Sequence, residues 1–82
     1  MYQFGYMLGG YWARRDAKPD QLLHIRKLGH GKDCMANYDD SGKELTHIIG
    51  PNKDSFLGAG EDPSPSFLAG FIDGAQLVES SS

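Results

Sequence analysis

Two short stretches at opposite ends of the chain decide its fold: YMLGGYW at residues 6–12 and SFLAGFI at residues 66–72. They share one pattern of apolar, small and aromatic residues, and each is typical of a short helix. Glycines recur four residues apart in both regions: Gly5 and Gly9 in the first, Gly70 and Gly74 in the second. Residues four apart lie on one face of a helix, and a face of small residues permits close packing. We therefore expect the terminal helices to pack against each other.

The length and composition of the chain indicate one small soluble domain. It has 82 residues and a net charge of −3, and it contains no apolar run near the roughly 20 residues that cross a bilayer. No basic leader with an apolar segment follows the first residue, so we expect no secretory signal. Cys34 is the only cysteine, which excludes an internal disulfide and favours a reducing compartment. We expect a single domain over residues 1–82, located in the cytoplasm, that does not bind membranes.

The charges are divided unequally along the chain. Through Lys32, six basic residues outnumber two acidic ones, whereas from Asp33 onward nine acidic residues outnumber two basic ones. The two parts either neutralise each other across the fold or form a surface with two poles that steers a charged partner. An acidic chain is a poor non-specific binder of nucleic acid, because that binding depends on neutralising phosphates.

The N-terminal part is predicted to be helical. Apolar residues recur at spacings of three and four from about Gln3 to Arg15, which predicts an amphipathic helix that ends in two arginines. The segment from Pro19 to Leu28 has a proline at its start and Gly29 just beyond its end, as helices often do. Its alternation of apolar and polar residues also fits a strand. We favour the helix slightly.

A β-hairpin is predicted between Cys34 and Ile49, with a loop around Gly42. The second arm is rich in β-branched residues, which favour strands. The alternative is a helix capped by Ser41, with Glu44 completing a capping box. We rank the hairpin first, so the predicted fold class is α+β, with packed N- and C-terminal helices and a central β-hairpin.

The C-terminal part begins with a loop at about residues 50–63, which is rich in Gly, Pro, Asp and Ser. Ser64 is then the expected cap of a helix with Pro65 at its first position. The apolar residues of this helix predict a buried stripe that comprises Leu68, Phe71, Ile72 and Ala75. The tail at residues 79–82 is expected to fray.

The stretch FLAGFIDG at residues 67–74 resembles the motif helix of the LAGLIDADG homing endonucleases, and residues 6–12 resemble a looser second copy. In that family two such helices pack side by side through small residues, and an acidic residue at the base of each helps to hold the metal ions that cut DNA. Ala75 and Arg14 occupy the matched acidic positions here, while Asp73 matches an earlier acidic position. Neither Ala75 nor Arg14 offers the oxygen ligands that a divalent cation needs. The resemblance therefore implies a helix pair in a scaffold without nuclease activity.

Other catalytic or metal sites have little support. The only conceivable zinc ligands are His24, His30, Cys34 and His47. They include no paired cysteines with the spacing of a zinc site. No base is evident beside Cys34 that would make its thiol a nucleophile. We expect no metal, no cofactor and no enzymatic activity.

Aromatic residues are unusually dense in the N-terminal helix. Tyr and Trp are frequent where binding energy is concentrated in interfaces, and exposed arginines pair with carboxylates. We therefore predict a partner-binding site formed by Tyr11, Trp12, Arg14 and Arg15. The leading hypothesis is a small non-catalytic interaction protein, an inhibitor or regulator, that binds a larger macromolecule, in the first place a protein. The alternative is a degenerate LAGLIDADG-like nucleic-acid-binding protein.

Overall fold

A computed structural model describes residues 1–36, 38–50 and 64–81, and this part of the chain is helical. Its helices are α1 (Tyr2–Arg15), α2 (Pro19–Lys27), α3 (Gly31–Ala36), α4 (Tyr38–Ile49) and α5 (Pro65–Ser81). The described residues contain no strand, so the predicted α+β class is wrong and the domain is a small helical one.

Helices α1 and α5 pack against each other through their glycines, as the spacing predicted. A Cβ atom on Gly5 would overlap the carbonyl oxygen of Phe67, and one on Gly9 would overlap that of Phe71. Because both contacts advance in the same direction along the chain, the two helices are parallel. The backbones touch directly, so the glycines that weaken α1 as an isolated helix are what hold it in the fold.

The contact is reciprocal. A Cβ atom on Gly70 would overlap the carbonyl oxygen of Tyr2, and one on Gly74 would overlap that of Tyr6. Each glycine of α5 therefore contacts α1 as the corresponding glycine of α1 contacts α5, with an offset of 65 residues in both pairs. The two helices are related by an approximate twofold axis that runs parallel to them.

The residues that correspond to each other in the helix pair differ from those that correspond when the two similar sequence stretches, residues 6–12 and 66–72, are aligned. That alignment pairs Gly10 with Gly70, whereas the structure pairs Gly5 with Gly70. The helical equivalent of Ala75 is therefore Gly10, and neither Arg14 nor the Arg15 that the alignment of Gly10 with Gly70 would pair with Ala75. Gly10 and Ala75 are both buried, and neither carries a carboxylate.

Helix α2 confirms the helical interpretation of its segment. Pro19 occupies the first position, and the backbone amide of Lys18 donates to Oε1 of Gln21 at 2.7 Å. The helix ends before Gly29, whose φ of +86° suits a residue without a side chain. Of its apolar side chains only Ile25 is fully buried.

The predicted hairpin is wrong, because its region forms α3 and α4. The β-branched residues are accommodated in α4, where the hydroxyl of Thr46 donates to the carbonyl of Gly42 at 2.8 Å. The buried positions of α4 follow helical spacing: Ser41, Leu45, Ile48 and Ile49. Burial of this apolar face outweighs strand propensities that span only about 1 kcal/mol. The alternative prediction, a helix, gave the correct type of element but not its start. Helix α4 begins three residues before Ser41, which is buried and does not cap it.

Helix α5 begins as predicted, since the amide of Phe67 donates to the hydroxyl of Ser64 at 3.2 Å and Pro65 is the first residue. Its predicted stripe is buried: Leu68, Phe71, Ile72 and Ala75. The helix continues to Ser81, into the segment predicted to fray. The predicted loop at residues 50–63 lies outside the described residues except for Gly50.

Helix α5 is the centre of the described structure. It contacts α1 on one side and α2 and α3 on another, while α4 packs against α2 and α3. The side chain of Gln76 donates to the carbonyls of Ile25 and Gly29 at the end of α2. The largest fully buried side chains meet around α5: Trp12, Ile25, Leu45, Ile49, Leu68, Phe71 and Ile72. Among the described helices, α1 has an extensive contact with α5 alone, which leaves its opposite face outward.

Candidate interaction surface

The outward face of α1 carries three large apolar side chains that solvent reaches. Phe4, Met7 and Tyr11 are 49%, 57% and 44% exposed. Their spacing of three and four residues aligns them along the helix, on the side away from the glycines. We call Phe4, Met7, Tyr11 and the following Arg14 and Arg15 the outward face of α1. A contiguous exposed apolar patch of this kind commonly marks an interaction site.

The sequence of α1 explains why this face is apolar. The helix contains no charged residue before Arg14, so both of its faces are apolar over three turns. The backbone contact with α5 is made by the face that contains Gly5 and Gly9, and the ring of Phe4 also packs against that of Phe67 on α5, with ring centres 5.9 Å apart. The opposite face keeps apolar side chains where a helix packed on one side usually carries polar ones.

Two arginines complete the surface at the C-terminal end of α1. Arg14 and Arg15 are exposed, and the guanidinium carbon of Arg15 lies 5.2 Å from the centre of the Tyr11 ring. This cation–π contact orients the guanidinium while its N–H groups can still pair with a carboxylate. Both charges also lie at the negative end of the helix dipole, which favours them.

Trp12 does not belong to this surface. It is fully buried, and its ring centre lies 5.7 Å from that of Phe71. Adjacent residues in a helix differ by about 100° in direction, so the side chain after the exposed Tyr11 reaches the core. Of the predicted binding residues, the structure brings Tyr11, Arg14 and Arg15 together at the surface and places Trp12 inside.

Phe4 and Met7 were missed as site residues, although the sequence contained a usable signal. Once Gly5 and Gly9 are assigned to the helix contact, positions 4, 7 and 11 lie on the opposite side of α1. The sequence analysis noted that aromatic residues, Phe4 among them, are more numerous than one buried stripe needs, but it proposed only Tyr11 and Trp12 of them as binding residues.

A second surface feature is an open cleft of about 440 Å³ where α1, α3 and α5 meet. It is lined by Tyr2, His30, Lys32, Ala69 and Asp73. The Tyr2 hydroxyl donates to Oδ2 of Asp73 at 2.6 Å, and the amide of Gly31 donates to Oδ1 at 2.7 Å. The carboxylate therefore joins α1 and α3 to α5.

These hydrogen bonds explain why an acidic residue lies in the middle of α5. Asp73 accepts a hydrogen bond from the backbone amide of Gly31 at the start of α3. An amide in the first turn has no partner within its own helix, so Asp73 acts as a capping residue does. Its hydrogen bond with Tyr2, together with desolvation and the negative charge of the carboxylate, raises the pKa of that phenol to about 12. Both carboxylate oxygens have partners within the fold, so Asp73 has a structural role.

Neither the thiol nor the histidines form a reactive group. Cys34 is buried and its Sγ lies 3.4 Å from the carbonyl oxygen of Leu28, to which the thiol donates. Burial raises the pKa of this thiol, which disfavours the nucleophilic thiolate. His24, His30 and His47 are exposed on separate segments. The described part of the chain contains no cluster of three metal-ligating side chains.

Within residues 1–36, 38–50 and 64–81, no helix is both long and apolar enough to span a bilayer. Comparisons with protein families, characterised proteins and solved structures give no match to this chain.

Proposed function

We propose that this chain is a small non-catalytic interaction protein, an inhibitor or regulator, that binds a larger protein through the outward face of α1. The observation that carries the proposal is the row of Phe4, Met7 and Tyr11, exposed at helical spacing and followed by two exposed arginines. Large apolar side chains beside arginine are the composition of binding hot spots. The buried lone cysteine supports a cytoplasmic location.

The energetics of the surface favour a function in recognition. Exposed apolar side chains gain free energy when a partner removes them from water, at roughly 25 cal/mol per Å² of apolar area. The arginines add little to folding stability at the surface, yet they steer association and select an acidic partner. Met7 and Arg14 are exposed, so we expect them to contribute little to folding stability and more to partner binding.

Site-specific photo-crosslinking tests this function. A photoreactive phenylalanine derivative replaces Met7 in one variant and Leu23 in a control. Leu23 is also an exposed apolar side chain, at 46%, but it lies on α2. Irradiation in cells of the source organism is expected to give one predominant protein adduct from position 7 and none from position 23. Adding Arg14→Ala and Arg15→Ala to the first variant should reduce the adduct.

Two results would contradict the proposal. One is the absence of a protein adduct at position 7, and the other is equal labelling from positions 7 and 23. In either case the outward face of α1 is not a specific protein-binding surface.

A second proposal is a LAGLIDADG-like nucleic-acid-binding protein without nuclease activity. It is supported by the parallel, reciprocal helix pair, since the resemblance implies two such helices side by side. The positions that would hold a catalytic metal are occupied by Ala75 and its structural equivalent Gly10, and neither is acidic. Equilibrium binding to duplex DNA at several salt concentrations tests it, because binding through phosphate contacts weakens steeply as salt rises. Binding of duplex DNA that does not vary with salt, or its absence at low salt, would overturn this second proposal.

A further inference from the structure

We infer that the outward face of α1 binds an amphipathic helix of its partner whose first turn is acidic, and that this helix lies antiparallel to α1. The inference rests on the proposed function, because it names the chemistry of the partner for the same face.

The backbone around the outward face favours a helical partner over an extended one. An extended peptide gains affinity by adding a strand to an open sheet edge. The described residues have no sheet edge, and between its first and last turns the backbone groups of α1 are used within the helix. An extended segment on this face would leave its own amides without partners, at a cost in free energy. A helix satisfies its backbone internally and can place apolar side chains on the face without that cost.

The shape of the face also suits a helix. Phe4, Met7 and Tyr11 form a ridge at spacings of three and four residues, the kind of ridge that enters the groove of another helix. From Phe4 to Arg15 the ridge extends about 17 Å at 1.5 Å per residue. A partner helix of about three turns would cover it.

The charges determine the orientation of the partner. The positive side chains of α1, Arg14 and Arg15, lie at its C-terminal end, and no acidic side chain lies within α1. Acidic residues are stabilised in the first turn of a helix, where the dipole is positive. A partner helix that begins beside the arginines and runs toward Phe4 therefore combines two favourable interactions. Its dipole opposes that of α1, and its acidic turn meets the guanidinium of Arg15, which already lies over Tyr11.

The same charges disfavour nucleic acid and anionic membranes as occupants. Both are extended polyanions, and stable binding requires many cationic contacts. The outward face offers two arginines beside an apolar ridge, on a chain of net charge −3. A partner helix with a short acidic turn followed by apolar residues complements both the charge of the two arginines and the apolar ridge beside them.

Synthetic helical peptides of about 18 residues, or five turns, test the inference. The first has glutamates in its first turn and leucines at spacings of three and four. The second has the same composition, with the glutamates moved to the last turn. The third has lysines in place of the glutamates. Fluorescence anisotropy measures binding of each peptide to the full chain, to Arg14→Glu/Arg15→Glu, and to Lys27→Glu/Lys43→Glu. The last variant changes the net charge equally, at exposed sites on α2 and α4.

We expect the unaltered chain to bind the first peptide about 10-fold more tightly than the third, because charge complementarity discriminates at this scale. The second peptide should bind less tightly than the first. The Arg14→Glu/Arg15→Glu variant should reverse the preference between the first and third peptides. The Lys27→Glu/Lys43→Glu variant should preserve it.

Several results would overturn the inference. They are equal binding of the first and third peptides, binding of none of the peptides, and a preference that survives Arg14→Glu/Arg15→Glu. Equal binding of the first and second peptides would refute the antiparallel orientation. Tighter binding to a short duplex DNA, or to vesicles of phosphatidylcholine and phosphatidylserine in equal parts, would assign the face to a polyanion instead. Circular dichroism of each variant establishes that it remains helical.

The outcome can be separated from that of the proposed function. Crosslinking at position 7 with no peptide preference would retain a protein-binding face and reject the acidic helix. Failure of crosslinking at position 7 would reject the protein-binding face itself.

Discussion

The two faces of α1 use apolar residues in opposite ways. On the inner face, Gly5 and Gly9 bring the backbone against that of α5, and the contact depends on the absence of side chains. On the outer face, the larger side chains of Phe4, Met7 and Tyr11 are about half exposed. Side-chain size therefore does not identify the buried face of this helix. Close approach makes the glycine face the one that packs against α5 and leaves the large side chains exposed.

The largest effect on folding stability should come from adding a side chain where the backbones of α1 and α5 touch. Gly9→Leu and Gly70→Leu would each force a side chain into the backbone of the facing helix. We expect each to destabilise the domain by about 3 kcal/mol or more, because neither backbone can yield without separating the helices. Thermal and urea unfolding measure the loss. Unfolding curves like those of the unaltered chain would refute the close helix pair.

The outer face should respond in binding and not in stability. Replacing Arg14 and Arg15 together by alanine should weaken binding of the partner captured at position 7 by about 1 to 3 kcal/mol. The free energy of unfolding should change by less than about 0.5 kcal/mol, since exposed charges contribute little to stability. The association rate should also depend less on salt concentration. Unchanged affinity and salt response would shift attention to the acidic residues from Asp33 onward.

The hydrogen bond from Tyr2 to Asp73, beside the helix pair, is tested by removing the Tyr2 hydroxyl. Tyr2→Phe removes the hydrogen bond to Asp73 and should cost about 0.5 to 1 kcal/mol, a modest value because water screens this exposed pair. Folding raises the pKa of the phenol from 10.0 to about 12. The stabilisation is therefore complete below the lower value and is lost as pH rises through the upper one.

Urea unfolding of both proteins across this alkaline range measures that loss. The stability of the unaltered chain should exceed that of Tyr2→Phe at neutral pH and approach it at high pH. A constant difference across the range would mean that the hydrogen bond does not stabilise the fold.

A change of the opposite sign and of similarly small size should come from a glycine that makes no close contact. Gly42 lies within α4, its φ is not positive, and apart from the adjoining residues and the backbone of its own helix no atom lies within 4 Å of the position of an added Cβ. Gly42→Ala should stabilise the domain by about 0.5 to 1 kcal/mol, because alanine loses less conformational entropy in a helix. It is the control for the glycines of the inner face, measured by the same thermal unfolding. Destabilisation by Gly42→Ala would mean that helical glycines are needed here for a reason other than close packing.

Particular residues explain where prediction from the sequence succeeded. Ser64 and Pro65 specify the start of α5 through a side-chain cap and a fixed φ angle, and both act within one turn. Pro19 and Gly29 mark the limits of α2 in the same local way. Of the residues that the sequence analysis proposed for partner binding, Tyr11, Arg14 and Arg15 are exposed and Trp12 is buried, whereas the exposed Phe4 and Met7 were not proposed. The exposure of each side chain depends on which side of α1 contacts α5.

The pairing of α1 and α5 could be predicted from the residues of the two helices alone. Glycines at a spacing of four permit backbone contact wherever the two helices meet, and that property belongs to the residues themselves. The helical conformation of residues 38–49, and the burial of Trp12 beside the exposed Tyr11, depend instead on tertiary packing. In those cases local preferences differ by only about 1 kcal/mol, which is less than the roughly 1.5 to 3 kcal/mol gained by burying one large apolar side chain. The neighbours against which a segment packs, and not its own residues, then decide its conformation and its exposed face.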